Sequence, residues 1–306
     1  MNLKDSKNYY IIEEINELVK KNPEKLILYS EDLYHNQISA LARASGGRRI
    51  LMVAGPSASG KTTSAYKIKK EFENNNIDSK VISLDDFYKN RSTMPVIDGK
   101  INAEVIEALE LDMIQETINT LLKTGKAYIP EYDFISGVRK DNACEISIEK
   151  NGVVIIEGIH ALNENMRSSL PADEIFNIYV SPHSGFSLDG KVLLTKRQMR
   201  AVRRIVRDHW SRGSGAEQTL TVWPIVCQGE DLYIRPSSQY TDYHIDTTHP
   251  YEPCLMKDCC EKLLSEIEEN SPQYQTSAVI LSKLNKFASL DMKFLPSDSL
   301  LREFVG

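Results

Sequence analysis

Residues 55–62 of this 306-residue chain read GPSASGKT, which fits the pattern Gly-x-x-x-x-Gly-Lys-Ser/Thr. Glycines in this pattern let the backbone curl until its N–H groups converge on phosphate oxygens, and the following helix adds its positive end. Lys61 should reach the β- and γ-phosphates, and the Thr62 hydroxyl should bind Mg²⁺. The pattern predicts an ATP site made of Gly55, Ser57, Ala58, Ser59, Gly60, Lys61, Thr62 and Thr63.

Two carboxylates follow strand-like segments further along the chain. Asp85 lies in SLDDFY, and an acceptor hydroxyl that attacks a γ-phosphoryl needs such a carboxylate to orient it and take its proton. Glu157 ends VVIIE, where a second acidic contact to Mg²⁺ is expected, so Thr62 and Glu157 are the predicted metal-binding residues. The alternatives are that Asp85 and Asp86 only cap a helix and that Glu157 only ends a strand. His160 is interpreted as a structural histidine.

Residues 191–215 carry many arginines in a chain that is otherwise acidic. One face of the predicted helix has guanidinium groups at i, i+3, i+4 and i+7, namely Arg200, Arg203, Arg204 and Arg207. Guanidinium groups give paired donors to phosphate oxygens, and the Gly213-Ser214-Gly215 break predicts a mobile lid that excludes water. A solvated basic face and a nucleic-acid patch are the alternatives.

The chemistry-bearing residues are separated by short apolar segments and helical patterns. Strands are predicted at 49–55, 80–84, 152–158 and 175–180. Helices are predicted at 62–74, 103–124, 163–169, 192–210 and within 252–288. The order predicts an α/β fold: a P-loop NTPase-type parallel sheet with helices on both faces, a small β-hairpin excursion near 125–150 and an arginine-rich lid helix at 191–215.

Composition limits the classes of function. The net charge of −6 argues against a protein that coats nucleic acid or an anionic membrane, and no apolar run approaches a membrane span. The N-terminus lacks a secretory signal, and the five cysteines have no metal-like spacing, so a cytoplasmic protein with reduced thiols is expected. Residues 1–47 are predicted to be a short helical leader, and residues 48–306 one kinase domain with C-terminal helices from about 252.

These motifs together resemble the uridine kinase branch of the phosphoribulokinase/uridine kinase superfamily. The resemblance runs from about residue 48 to 250 through GPSASGKTT, SLDDFY, PEYDFISGVR, VVIIEGIHALN and MRAVRRIVRDHWSRG. It implies phosphorylation of the 5′-hydroxyl of a pyrimidine nucleoside, uridine or cytidine, by Mg·ATP, and hence pyrimidine salvage. The implied catalytic residues are Asp85, Lys61, Arg200, Arg203 and Arg207, and the implied substrate-binding residues are Tyr88, Asn102, Tyr132, Arg139 and Arg200. From the residues alone, Tyr132 could equally be a cross-strand hairpin aromatic.

The departures from the family pattern fall at the acceptor. Asn102 and Ala103 stand where an aromatic-Asp pair is usual, and Gly137 stands where a base-reading His is frequent. A kinase of a sugar, polyol or other ribosyl compound is therefore the alternative, followed by a nucleotide-binding regulator without phosphotransfer. The preference for ATP over GTP and the oligomeric state, which could be a homo-oligomer, are left open.

The C-terminal part resembles a bacterial subgroup of uridine kinase-like proteins. The segments WPIVCQGEDLYIRP and LPSDSLLREFVG carry this likeness. Subgroup members often have a preceding domain similar to one in threonyl-tRNA synthetase, and only the helical leader stands in that place here. We expect the leader to cap the surface that such a domain would contact.

Overall fold

The computed structural model describes residues 1, 3–97, 99–168 and 170–306. The strands are β1 (Tyr10–Ile11), β2 (Ile50–Ala54), β3 (Ser79–Ser83), β4 (Val96–Ile97), β5 (Lys100–Ile101), β6 (Lys126–Asp133), β7 (Val138–Ser147), β8 (Val153–Glu157), β9 (Ile175–Ser181), β10 (Phe186–Leu188), β11 (Lys191–Leu194) and β12 (Tyr243–Asp246). Five of them form the central parallel sheet in the order β12-β9-β2-β8-β3. Small sheets are formed by β1-β10-β11, β4-β5 and β6-β7.

The central sheet separates two hydrophobic cores. Strands β2, β8 and β9 are buried at every residue. Along β2, Leu51 and Val53 belong to one core, while Ile50 and Met52 belong to the other. Continuous apolar strands are what a parallel sheet covered on both faces requires. The predicted α/β class is confirmed.

The helices occupy both faces and the C-terminal part. They are α1 (Ile12–Lys21), α2 (Pro23–Ala44), α3 (Lys61–Asn74), α4 (Leu111–Thr124), α5 (Glu164–Arg167), α6 (Lys196–Arg212), α7 (Ala216–Gly229), α8 (Glu252–Ser265), α9 (Tyr274–Leu284) and α10 (Arg302–Val305). None of the helices in the described residues is both long and apolar enough to cross a membrane.

Two predicted helix boundaries are wrong. The helix expected from residue 103 begins at Leu111, preceded by a single 3₁₀ turn at Ile106–Ala108. The helix expected from residue 192 begins at Lys196, because β11 pairs with β10 and the Thr195 side chain caps the helix start.

The β-hairpin excursion is confirmed as β6 and β7. A register irregularity lies between Ile129 and Glu131, after which Tyr132 pairs with Arg139. The hairpin packs on the segment that follows β3, where the backbone N–H of Tyr132 lies 3.5 Å from Asp86 Oδ1. This contact brings the hairpin tip to the carboxyl edge of the sheet.

The N-terminal helices α1 and α2 are part of the same hydrophobic core as α3 and α8. The hydroxyls of Tyr34 in α2 and Ser64 in α3 are hydrogen-bonded at 2.8 Å, and both residues are buried. Strand β1 pairs with β10, which adds a backbone connection. The described residues up to position 47 therefore pack as an integral layer, and the domain boundary at 47/48 stays a prediction.

A C-terminal strap, residues 295–306, crosses the phosphate loop. Leu300, Leu301 and Phe304 are almost completely buried. Ser299 Oγ donates to Glu31 Oε1 at 2.7 Å, and the Tyr251 hydroxyl donates to the same oxygen at 2.5 Å. The leader and the strap are thus joined across α8.

Candidate active site

A cavity of about 330 Å³ opens at the carboxyl ends of β2, β3 and β8, where open α/β sheets bind ligands. Predicted site residues that line it are Ser57, Ala58, Ser59, Gly60, Lys61, Thr62, Asp85, Tyr88, Tyr132, Glu157 and Arg207. Predicted site residues that do not line it are Gly55, Thr63, Asn102, Arg139, Arg200 and Arg203. The structure thus brings the predicted donor and acceptor ends into one space and places several residues differently.

The phosphate loop takes its shape from two glycines. A Cβ at Gly55 would lie 2.0 Å from the carbonyl oxygen of Val180, so no other residue fits as the loop leaves the sheet. Gly60 has φ +89 and forms the N-cap of α3. The ammonium of Lys61 folds back to the Pro56 carbonyl at 3.4 Å. This conformation directs the first N–H groups of α3 and the Lys61 ammonium at one end of the cavity.

Glu157 is a buried carboxylate beside the loop. Its Oε1 accepts hydrogen bonds from Ser83 Oγ at 2.8 Å and from Thr62 Oγ1 at 3.2 Å. Burial, followed by the charge of Asp85, raises the pKa of Glu157 from 4.5 to about 7. A carboxylate held this way is stabilised by a cation, and hydroxyl and carboxylate oxygens are the ligands that Mg²⁺ prefers. Thr62 and Glu157 therefore fit the predicted metal.

Three arginines of α6 line the cavity around one buried carboxylate. Arg204, Arg207 and Arg212 lie 3.1, 2.9 and 3.7 Å from the carboxylate of Asp208. Arg204 also donates to Ser57 Oγ in the phosphate loop at 2.8 Å. Burial lowers the pKa of Arg204, and the Asp208 charge opposes this effect. Three guanidinium groups against one carboxylate leave positive charge that a phosphate chain can neutralise.

Arg203 and Arg200 lie behind the phosphate loop, which differs from their predicted place in the cleft. Arg203 is fully buried, pairs with Glu252 at 2.6 Å, and donates to the Thr247 carbonyl at 2.6 Å and the Ser59 carbonyl at 3.4 Å. Arg200 pairs with Glu230 and donates to the Ser57 carbonyl at 3.1 Å. Both arginines hold the backbone of the loop, because each binds a loop carbonyl that the helix–loop contact has buried.

The arginine-rich helix over the cleft has an apolar back. Met199, Val202 and Val206 are fully buried in the core that also contains α8. This apolar back anchors the helix and holds its arginines over the cleft, and the mobility predicted for it stays a prediction. The glycine break at Gly213, with φ +61, ends the helix as a C-cap.

The other end of the cavity is aromatic. Tyr88, Tyr132 and Phe134 have ring centroids 5.6, 6.3 and 5.1 Å apart in their three pairs. Tyr88 and Tyr132 are buried, whereas Phe134 is half exposed and lies 5.9 Å from the Arg212 guanidinium. This group, the aromatic wall, can pack on a flat ring or on an apolar sugar face.

Arg139 and Asn102 support the cavity wall from outside it. Arg139 Nη1 donates to the Tyr88 carbonyl at 3.1 Å, and its Nε pairs with Asp141 at 2.7 Å. Asn102 Oδ1 accepts from the Glu104 N–H at 2.9 Å. Arg139 therefore positions Tyr88, and Asn102 positions the segment that carries Glu104.

Gly137 belongs to the hairpin turn. Its φ is +71, and a Cβ there would lie 2.7 Å from the side chain of Arg91. Only glycine meets both conditions. The absence of a larger side chain at Gly137 is thus explained by the turn, without reference to the acceptor.

Glu104 is a cavity residue that the sequence interpretation missed. It lines the cavity together with Ala103, the phosphate loop and the aromatic wall. Burial raises its pKa, while the positive charges of Arg204 and Lys61 act against that effect. A carboxylate two residues after Asn102, in a segment with no regular periodicity, was the available signal. Glu104 therefore gives the cavity a carboxylate, although Asn102 stands where the family usually has an Asp.

His160 lies near the strand end but is not part of the cavity wall. It is almost fully buried, and burial lowers its pKa to about 4. The ring is therefore uncharged at neutral pH. The interpretation of His160 as a structural residue stays a prediction.

The sequence of this chain is similar to those of bacterial uridine kinases. It is 27% identical over 199 residues to a uridine kinase of Lactobacillus johnsonii, and the aligned region covers 63% of this chain and 83% of that protein. It is 29% identical over 198 residues to a uridine kinase of Staphylococcus aureus, with 63% and 84% covered. The solved structure of a possible uridine kinase from Bacillus stearothermophilus matches with a TM-score of 0.45 and 17% identity, covering 69% of this chain and 98% of that one.

The family model described as Phosphoribulokinase / Uridine kinase family matches residues 50–250. This span contains the phosphate loop, the acidic residues, the aromatic wall and α6. Membership implies a phosphotransferase with a hydroxyl acceptor, a nucleoside or a sugar, and ATP as the donor. The chain belongs to the phosphoribulokinase/uridine kinase family.

Proposed function

We propose that this protein transfers the γ-phosphoryl of ATP to the 5′-hydroxyl of a pyrimidine nucleoside, uridine or cytidine. The observation that carries the proposal is a single cavity lined by the phosphate loop, the aromatic wall, Asp85 and Glu104. Relatives that share the catalytic span are named uridine kinases.

The donor end binds and orients the phosphate chain. The N–H groups of the loop and the Lys61 ammonium meet the phosphates, and Arg204 and Arg207 face them from α6. Magnesium, held by Thr62 and Glu157, would neutralise charge on the donor phosphates. Arg200 and Arg203 keep the loop in this shape through their bonds to its carbonyls.

The acceptor end orients a hydroxyl and removes its proton. Asp85 lines the cavity next to the loop, whereas the neighbouring Asp86 points to the backbone of Tyr132. Asp85 is therefore the base, and Glu104 is placed to accept hydrogen bonds from the remaining sugar hydroxyls. The pyrimidine ring of the nucleoside packs against the aromatic wall. The arginines over the cleft limit the entry of water.

The test is ADP release from Mg·ATP with uridine, cytidine, pentoses and polyols as acceptors. Asp85→Asn should lower kcat with the preferred acceptor by about 10²- to 10⁴-fold, while Asp86→Asn keeps most of it. If ADP is released from Mg·ATP with a sugar or polyol but not with a nucleoside, the acceptor in the proposal must be replaced. ATP binding without release for any acceptor would favour the nucleotide-binding regulator. Equal activity of the two Asn variants would contradict the role given to Asp85.

A further inference from the structure

The C-terminal strap places a carboxylate on the phosphate loop. Glu303 Oε2 accepts a hydrogen bond from Thr63 Oγ1 at 2.6 Å and from the Thr63 backbone N–H at 3.3 Å. Thr63 lies in the first turn of α3, whose N–H groups have no partner within the helix and attract anions. Glu303 thus binds a donor group of the kind that the phosphate site uses.

Glu303 also lies in the cavity itself. It lines the wall together with Lys61 and Thr62, and its charge adds to the raised pKa of Glu157. In the proposed ATP site a negatively charged phosphate oxygen accepts from the Thr63 N–H, which the equally negative Glu303 carboxylate occupies in this structure. They cannot hold that N–H group at the same time.

The backbone of the strap holds Glu303 at this position. Leu300 packs so closely on the loop that a Cβ at Gly60 would lie 2.8 Å from it, and the Phe304 ring lies 5.0 Å from the Arg203 guanidinium. Both strap residues are buried. The strap is anchored on each side of Glu303, so the part that can move is the Glu303 side chain.

A second cavity gives this side chain an alternative place. Glu303 lines both the active-site cavity and a neighbouring cavity of about 470 Å³, and Thr63 lines the neighbouring cavity. The neighbouring cavity is also lined by Lys67, Lys70 and Arg302. A carboxylate that leaves Thr63 can turn toward these cations without movement of the strap backbone.

We propose that Glu303 is an internal competitor for the phosphoryl donor and sets the donor affinity of this kinase. The inference rests on the proposed ATP site. In the empty protein the carboxylate holds Thr63, and a donor binds only the fraction of molecules in which it has turned away. The apparent Kd is raised by the inverse of that fraction.

The test is a calorimetric titration of Mg·ATP into the full chain, without acceptor. Glu303→Gln keeps the size of the side chain and removes its charge, and we expect the Kd to fall by about tenfold. Asp291→Asn is the matched control, because Asp291 is an exposed carboxylate just before the strap that pairs with Lys293 at 3.3 Å and lines neither cavity. We expect this control to keep the wild-type Kd, which excludes a general effect of net charge.

The opposite results are informative. An unchanged Kd in Glu303→Gln, or an equal fall in Asp291→Asn, overturns the proposal. A higher Kd overturns it as well, because the carboxylate would then contact the bound donor. A melting curve of each variant verifies that the titrated protein is folded.

Inorganic tripolyphosphate is the second probe and separates this proposal from the proposed function. If tripolyphosphate binds with a lower Kd to Glu303→Gln than to wild type while ATP does not bind, the competitor role of Glu303 is supported and the proposed nucleotide donor is wrong. If neither probe binds wild type or variant, the phosphate site itself is wrong and both proposals fall.

Discussion

The two ends of the cavity are built in different ways. The donor end is made of backbone: the loop follows a fully buried strand, closes on the Val180 carbonyl at Gly55, and is held from behind by Arg200 and Arg203. The acceptor end is made of side chains from a 3₁₀ turn, a hairpin tip and a loop, and Phe134 in it is half exposed. Chemistry common to a family can be fixed in the backbone, while selectivity is carried by side chains that are easily exchanged.

The difference is sharpest within α6, where neighbouring arginines serve opposite purposes. Arg203→Ala should lower the free energy of unfolding by about 3–5 kcal/mol, because it leaves the buried Glu252 carboxylate without its partner. Arg204→Ala should lower it by less than about 1 kcal/mol, since Asp208 keeps two other arginines, and should reduce turnover. Urea unfolding of both variants measures this, and equal losses of stability would contradict the division.

Glu157 gives a second prediction at the donor end, measured on metal-free protein. Its pKa is raised from 4.5 to about 7, so the folded state binds the proton more tightly than the unfolded state. The free energy of unfolding therefore falls as pH rises from about 4.5 to 7, and the full penalty of about 3 kcal/mol is present above that range. Glu157→Gln should be more stable than wild type at pH 8 by up to about this amount and similar at pH 5. An equal difference at the two pH values would show that ionisation of Glu157 is not the cause.

The smallest of these effects concerns the acceptor end. Glu104→Gln should raise the acceptor KM by about 10- to 100-fold, because a charge-assisted hydrogen bond to a sugar hydroxyl is lost, with a smaller change in kcat. Asn102→Ala removes only the side-chain bond to the Glu104 N–H and should change KM by less than about threefold. Steady-state kinetics with the acceptor varied separates them. A larger effect at Asn102 would support the substrate-binding role predicted from the sequence.

The sequence predicts the donor end well because its signals are local. The glycine positions, the following Lys-Thr and the acidic strand end all lie within short segments whose backbone shape follows from residue type. The central strands were also predictable, since continuous apolar runs are required of a sheet buried on both faces. Loop, strand and acidic residue then meet because parallel strands end at one edge.

The rest depends on tertiary contacts that no local pattern reports. Arginine spacing on α6 shows that Arg200, Arg203, Arg204 and Arg207 share a face, but burial of Glu230 and Glu252 behind the loop decides which of them leave the cleft. The resemblance selects Asn102 because it stands where the family usually has an Asp. Glu104 escapes the prediction because an irregular segment gives no rule for which side chain points inward. Glu303 lies 240 residues from the threonine it contacts, and only the fold reveals that pair.

The bond between Ser299 and Glu31 bears on how this chain can be divided. The family match ends at residues 50 and 250, so both partners of this bond lie outside it, on opposite flanks. The two flanks are therefore bonded to each other outside the family span. In the C-terminal flank, Leu300 packs on the phosphate loop and Glu303 accepts a hydrogen bond from Thr63. A fragment trimmed to the family span would lose these contacts to the phosphate loop as well as the flanking residues. The donor affinity measured on such a fragment would therefore differ from that of the full chain.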